Sequence, residues 1–272
     1  MLREFSASLN ISFERTQHIV TEILQMRRVC ARLVPRNLTE EQMQRQVQVY
    51  MNTVQMSETI PNFLTSVVTC EESWIHHYDP LSKQQSSVWK HSNSPPCKKF
   101  RSSLLAGKVM LLLFFDAHGM ILQHWVPCGQ TVNGAYYANI LKTHLRGAMR
   151  KKTPDLLKKQ WFLLQDNARP HIAAIALAAL TEIGGTALHP PPCSPDLAPC
   201  DFWAFPTLKR QLHGKRFSSD DVRNATAAAL KGMSQNNLFH VFESFIKCCK
   251  KCIQCEGCYF EKEKNCRACR VI

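Results

Sequence analysis

The sequence lacks any hydrophobic run long enough to cross a membrane. Its longest apolar stretch, VMLLLFF at residues 109–115, is far shorter than the roughly 20 residues that a membrane-spanning helix needs. The first residues, MLREFSASLNISFE, also lack the apolar stretch of a secretory signal peptide. We therefore expect neither secretion nor a membrane partner, and we interpret residues 109–115 as a buried strand.

Acidic residues are scarce relative to basic ones. The chain has 34 Lys and Arg against 21 Asp and Glu, a net charge of +13. Such an excess favours a polyanionic partner, and nucleic acid is the first candidate. A basic surface that merely keeps the protein in solution would give the same balance, so charge alone leaves both interpretations open.

Cysteine is not scarce, but the 13 cysteines are odd in number, which does not suit a fully paired secreted framework. A reducing, intracellular compartment fits better. Seven of them lie within residues 248–272: Cys248, Cys249, Cys252, Cys255, Cys258, Cys266 and Cys269. The pairs Cys255/Cys258 and Cys266/Cys269 have zinc-ligand spacing, but we favour unpaired thiols and do not expect Zn²⁺ in this tail.

The N-terminal segment has the pattern of a capped amphipathic helix. Ser12 stands at the N-cap, and one helical face carries Phe13, Thr16, Ile19, Val20, Ile23 and Leu24. This pattern is typical of the turn and second helix of a helix-turn-helix, with Arg15, Gln17 and His18 directed outward towards a DNA groove. Taken alone, the pattern is more typical of a helix whose polar face only meets water. A second helix is predicted after Thr39, where Thr39 and Gln42 have capping-box spacing.

The remaining pattern predicts strands and helices in alternation. Predicted strands cover residues 63–69, 87–89, 108–115, 120–126, 161–165 and 186–189, and predicted helices cover 132–149, 171–185 and the stretch from 201 onward. Antiparallel strands followed by alternating helices and strands predict an α/β fold, a mixed sheet with helices on its faces.

Two carboxylates follow elements that would bring them to an edge of this sheet. Asp166 comes directly after the apolar strand WFLL, and Asp201 opens a helix with the apolar stripe Phe205, Leu208 and Leu212. Carboxylates that converge at a sheet edge can hold a pair of Mg²⁺ ions, which support phosphodiester cleavage. The alternative for each acid is an ordinary helix N-cap.

Five segments together resemble the mariner family of DNA transposases. They are ARLVPRNLTEEQ (31–42), TCEESWIHHYDP (69–80), QDNARPH (165–171), HPPPCSPDLAPCDFWAF (189–205) and LKRQLHGKRF (208–217). The likeness runs from about Ser8 to Glu261. It implies an RNase H-like catalytic domain with three acids and two Mg²⁺ or Mn²⁺ ions, preceded by helix-turn-helix DNA-binding modules and linker helices. It also implies double-stranded DNA at transposon ends as substrate, endonuclease and integration chemistry, a possible homodimer and a nuclear location.

The first acid departs from the family pattern. Where the family has Thr-Gly-Asp-Glu, this chain has Thr69, Cys70, Glu71 and Glu72. The resemblance makes Glu71, Asp166 and Asp201 the candidate catalytic and metal-binding residues, but glutamate carries one more methylene than aspartate, and a metal pair tolerates such a shift poorly. Glu72 is not a simple substitute, because neighbours on a strand point to opposite faces. We therefore expect impaired strand transfer.

The front of the chain departs as well, since it begins inside what resembles the second helix-turn-helix. We expect weaker recognition of a specific DNA end, while phosphate contacts persist. Candidate DNA-contacting residues are Arg15, Gln17, His18 and Arg36. The expected divisions are a partial helix-turn-helix (1–30), a linker and helix (31–60), the catalytic domain (61–247) and a cysteine-rich tail (248–272).

Two functional hypotheses follow. The first is a mariner-transposase-derived DNA-binding protein with a metal-dependent DNA-cleaving and strand-transfer fold of impaired activity. The alternative is a catalytically inactive, domesticated DNA-binding or protein-interaction module. The sequence leaves open whether the chain is an enzyme.

Overall fold

The computed structural model describes residues 2–26, 37–80, 107–191, 194–234 and 237–259. The chain divides into two compact units, Met1–Asn37 and Leu38–Ile272. In the described ranges, no helix combines the length and apolar character needed to cross a bilayer.

The N-terminal unit contains two short helices, α1 (Leu2–Leu9) and α2 (Phe13–His18), and α2 continues into a π-helical turn, Ile19–Ile23. Ser12 caps α2 as expected, because its Oγ accepts the Arg15 amide at 3.3 Å. The expected apolar face is only partly buried: Thr16 is buried, whereas Phe13, Ile23 and Leu24 are 42%, 65% and 56% exposed. Two short helices have too little surface to bury a complete apolar face by themselves.

The second unit is built on a five-stranded mixed sheet. Its strands are β1 (Val67–His76), β2 (Lys108–Asp116), β3 (Gly119–Val126), β4 (Trp161–Leu164) and β5 (Gly185–Leu188). They lie in the order β3-β2-β1-β4-β5. β1, β2 and β3 are antiparallel neighbours, while β4 runs parallel to β1 and β5 parallel to β4. The predicted α/β class with a mixed sheet is confirmed.

Helices cover both faces of the sheet, because the central strands are apolar on both sides. One core contains Val68, Leu112 and Leu163, and the other contains Val67, Leu113 and Phe162, so successive residues of one strand enter opposite cores. The helices are α3 (Glu40–Thr59), α4 (Gly134–Asn139), α5 (Arg146–Lys152), α6 (Arg169–Ile172), α7 (Ala174–Glu182), α8 (Phe205–Leu212), α9 (Ser219–Met233) and α10 (Phe239–Gln254). A π-helical segment, Ile140–Leu145, joins α4 to α5. The capping box predicted at Thr39 and Gln42 starts α3.

Two predicted elements differ from the structure, and a third lies outside it. The strand expected at 63–69 begins only at Val67, because Phe63–Ser66 form a 3-10 turn after Asn62, which has a left-handed φ of 59°. Side-chain hydroxyls of Thr65 and Ser66 bond local carbonyls and stabilise that turn. The helix expected at 171–185 is broken by an extended residue, Ala173, into α6 and α7. The strand expected at 87–89 lies outside the described residues.

Candidate active site

The strand register places the second acid beside the first. In the parallel pair β1 and β4, Leu164 is aligned with Thr69. Asp166, two residues further along, therefore lies level with Glu71, two residues after Thr69. The sheet itself thus brings together residues that are 95 positions apart in the sequence.

The third acid, Asp201, lies just before a helix whose apolar side packs in the core. Asp201 lies in a π-helical turn, Cys200–Ala204, that leads into α8. The stripe predicted to face inward is buried: Phe205, Leu208 and Leu212 are 4%, 0% and 5% exposed. The preceding Cys200 contacts Thr69 on β1, with the Sγ and Oγ1 atoms 3.6 Å apart. This contact holds the start of the helix against the strand that carries Glu71.

The three acids line one cavity. Its volume is ≈ 360 Å³, and its walls include Glu71, Asp166 and Asp201 together with Glu72. Asn167 ties the proline-rich loop to this wall, because its side-chain amide donates a hydrogen bond to the Pro190 carbonyl. The structure therefore brings together the three predicted catalytic and metal-binding residues at one sheet edge.

Neither Asp166 nor Asp201 occupies the N-cap position of a helix. The residue at the N-cap of α6 is Ala168, and Asp166 instead accepts the Ala168 amide at 2.9 Å within the turn before that helix. Asp201 lies inside its turn, after the capping position held by Pro199. Both acids are thus placed at the cavity without serving as helix caps.

The acids that line the cavity influence one another's ionisation. Burial, followed by the charges of Asp166, Glu72 and Asp201, raises the pKa of Glu71 to about 8. A carboxyl group whose neighbours hold back its ionisation in this way lies where a cation would be favourable. Carboxylate oxygens are also the donors that Mg²⁺ prefers.

A buried histidine that the sequence reasoning missed connects two of these acids. His171 has a fully buried side chain, with Nδ1 2.6 Å from Asp166 Oδ1 and Nε2 2.9 Å from Glu72 Oε1. Burial opposes charging of the ring, but the hydrogen bonds to both carboxylates raise the pKa of His171 to about 10. Burial likewise opposes ionisation of Asp166, yet its bonds with His171 and the Ala168 amide lower the pKa of Asp166.

The carboxylates line one cavity, but their side chains are not arranged as a coordination site for a cation. Within the described ranges, no three His, Cys, Asp or Glu side chains are arranged to hold a metal ion. Glu71 turns back on its own strand, where Oε1 accepts the Glu72 amide at 3.2 Å. Carboxylates are a residue type that binds divalent ions, and these carboxylates line the same cavity. Their oxygens can converge on one ion only if the side chains change rotamer.

The predicted DNA-contacting residues belong to the N-terminal unit. In the N-terminal unit, Arg15, Gln17 and His18 are exposed, while Arg36 lies outside the described residues.

Cys266 and Cys269, two of the cysteines with zinc-ligand spacing, also lie outside the described residues. Cys255 is disulfide-bonded, so the expectation of unpaired thiols is wrong at that position, whereas Cys248, Cys249 and Cys252 are free thiols. Helix α10 runs from Phe239 to Gln254, across the expected start of the tail at residue 248.

Comparison with known proteins identifies the lineage. The family model "Transposase (partial DDE domain)" matches residues 79–159. The human histone-lysine N-methyltransferase SETMAR is 31% identical over 261 residues, 95% of this chain and 37% of SETMAR. The mariner Mos1 transposase of Drosophila mauritiana is 26% identical over 265 residues, 95% of this chain and 74% of Mos1. These similarities support a mariner-family transposase.

Solved structures agree with this family assignment. Mos1 paired-end complexes with Mn and with Mg each match this mariner chain with a TM-score of 0.82, 26% identity and coverage of 96% of this chain and 75% of theirs. The RNase H-like fold expected from the resemblance is confirmed. The chain spans little more than a third of the length of SETMAR. The activities and partners of these relatives are therefore only proposals for this chain.

Proposed function

We propose that this mariner-derived chain binds double-stranded DNA and retains metal-dependent phosphodiester chemistry in an impaired form. The observation that carries the proposal is the placement of three acids from three separate elements, Glu71, Asp166 and Asp201, on the wall of one cavity. The raised pKa of Glu71 supports a cation in that cavity, because burial and, after it, the neighbouring carboxylates disfavour its ionisation.

The three carboxylates would hold two Mg²⁺ or Mn²⁺ ions. When bound, such a pair activates a water or a 3′-hydroxyl and stabilises the leaving oxygen of the cleaved phosphodiester. Asp201 is fixed through its backbone amide, which donates to the Ala198 carbonyl at 2.9 Å. Glu71 is the weak member of the set, because its longer side chain bonds its own strand. We assign the impairment to that residue.

Several features support DNA as the partner. Mos1 was solved in paired-end complexes, and this chain carries a net charge of +13. A cationic segment, Leu208–Phe217, contains Lys209, Arg210, Lys215 and Arg216. Two backbone hydrogen bonds hold it against the chain just after β1, from Gly214 N–H to the Asp79 carbonyl (2.7 Å) and from Phe217 N–H to the His77 carbonyl (2.9 Å). We further propose a homodimer, by analogy with the paired ends, and a nuclear location, which follows from the substrate. The division at 1–30, 31–60, 61–247 and 248–272 remains part of the same proposal.

A second candidate function is a catalytically inactive DNA-binding module. It is favoured by the absence, in the described part of the chain, of three converging metal ligands. It is also favoured by Glu71, which stands where the family has aspartate and accepts a hydrogen bond from the Glu72 amide of its own strand. In that case, DNA binding would be indifferent to substitution of Asp166 and Asp201, and no divalent ion would occupy the cavity.

The DNA-binding part can be tested through salt dependence. We expect the affinity for a duplex, measured by fluorescence anisotropy, to fall linearly on a log–log plot as salt rises, because phosphate contacts release counterions. In the double variant Arg210→Gln/Lys215→Gln, which removes two exposed cations, the slope should be shallower by about 2.

A matched control removes a cation that already has a partner. Lys158 lies 2.9 Å from the Asp155 carboxylate on the same unit, so Lys158→Gln should leave the slope unchanged. An affinity that does not respond to salt would contradict DNA binding as proposed. Equal slopes in all three proteins would show that the cationic segment does not contact phosphates.

A further inference from the structure

His171 joins two acids whose surroundings differ. The imidazole is fully buried, Glu72 is 17% exposed at its side chain and Asp166 is 47% exposed. Nδ1 is 2.6 Å from Asp166 Oδ1 and Nε2 is 2.9 Å from Glu72 Oε1. An ionised carboxylate only accepts hydrogen bonds, so both ring nitrogens act as donors in this arrangement. Both acids line the cavity, and Asp166, on one side of the ring, is the more exposed of the two.

The imidazole is held on its remaining sides. Its ring lies against Tyr137, with centroids 4.4 Å apart. The Tyr137 hydroxyl donates to Gln165 Oε1 at 2.6 Å, and Gln165 Nε2 donates to the His171 carbonyl at 3.2 Å. Cys70, which occupies the family's glycine position, contacts the same hydroxyl at 3.2 Å. This buried network leaves the ring one orientation.

The bonds to Asp166 are confined to one of its oxygens. His171 Nδ1 and the Ala168 amide, at 2.6 and 2.9 Å, both bond Oδ1. Two donors on one oxygen fix the rotation of the carboxylate, so Oδ2 is the oxygen available to the cavity that Asp166 lines. Partners behind a ligand commonly set its orientation in this way.

We propose that His171 is a positioning residue for Asp166 and that Glu72 serves the site by orienting His171. In this arrangement, Nδ1–H holds Oδ1 so that Oδ2 is presented to a divalent cation, and Nε2–H donated to Glu72 fixes the ring. Glu72 therefore has a role different from that of its neighbour Glu71, although both are acids on β1. The inference rests on the proposed metal-binding function.

Two substitutions separate the two bonds of the ring. An asparagine amide can overlay Nδ1 of histidine, and a glutamine amide can overlay Nε2. His171→Asn therefore keeps a donor for Asp166 and loses the bond to Glu72, whereas His171→Gln keeps the bond to Glu72 and loses Asp166. The measurement is Mn²⁺ affinity of the full chain, followed by electron paramagnetic resonance. We expect His171→Gln to weaken Mn²⁺ binding by about tenfold and His171→Asn to weaken it much less.

The pair controls for folding, since each variant removes the same buried ring from Tyr137. Their thermal unfolding midpoints should fall by similar amounts while their Mn²⁺ affinities differ, a split that a purely structural role would not produce. Equal Mn²⁺ affinities in the two variants would overturn the inference and leave the proposed function standing. If the unmodified chain shows no Mn²⁺ binding that Asp166→Ala abolishes, the proposed function fails, and this inference fails with it.

Discussion

Replacing Glu71 with aspartate is expected to increase Mn²⁺-dependent nicking of supercoiled plasmid on the order of 100-fold, because a misplacement of about 1 Å at a reacting centre costs about that factor. The aspartate side chain is one methylene shorter than that of Glu71, whose Oε1 now bonds the Glu72 amide at 3.2 Å. Its carboxylate would instead remain in the cavity with Asp166 and Asp201. The measurement is the initial rate of conversion to open-circle DNA.

The neighbouring glutamate provides a matched control. Glu72→Asp makes the same chemical change one residue further along β1, but the Glu72 carboxylate bonds His171. We expect no increase in nicking from that variant. An equal increase from both substitutions, or none from Glu71→Asp in a protein that binds Mn²⁺, would contradict the role assigned to Glu71.

The second large effect concerns Asp166. Asp166→Ala should reduce nicking to background in both the unmodified chain and the Glu71→Asp variant. It removes a cavity-facing oxygen ligand, and among the described residues it leaves Glu72 as the carboxylate partner of His171. Asp166→Asn keeps an acceptor for the His171 and Ala168 donors but removes the charge. It should therefore be nearly as inactive while unfolding at a temperature closer to that of the unmodified chain.

Asp155→Ala is the control for a general loss of acidic charge, because Asp155 is exposed and paired with Lys158 at 2.9 Å. It should nick at the unmodified rate. Nicking that survives Asp166→Ala in the Glu71→Asp background would assign the activity to another site or to a contaminating nuclease. Salt-sensitive DNA binding with no nicking in any variant would favour the inactive module.

The sequence predicts the parts of the site that depend on local pattern. The apolar run at 109–115 and the four residues WFLL form strands of the sheet, and residues 111–115 and 161–164 are buried. The spacing of Phe205, Leu208 and Leu212 correctly indicates which side of α8 enters the core. Asp166 and Asp201 are therefore placed at the sheet edge by hydrophobic periodicity, before any comparison with a family.

The parts that the sequence does not predict depend on distant contacts. His171 bonds Glu72, which is 99 residues away, and no periodicity links the two. The helix breaks at Ala173, which is neither glycine nor proline, so the residue type there does not predict the break. The break separates the short helix α6, which carries His171, from α7. The predicted start of the first strand is wrong because Phe63–Ser66 are apolar and hydroxyl residues, which suit a strand. In the structure, hydrogen bonds from their hydroxyls to local carbonyls stabilise a 3-10 turn instead.

The central claim is that Glu71, Asp166 and Asp201 can jointly hold divalent cations, and a crystal soaked in Mn²⁺ tests it most directly. The account predicts anomalous scattering peaks in the cavity, about 2.1 Å from carboxylate oxygens of Asp166 and Asp201, with Glu71 turned away from the Glu72 amide towards the ion. A cavity without any anomalous peak at saturating Mn²⁺, with Glu71 still bonded to its own strand, would contradict it.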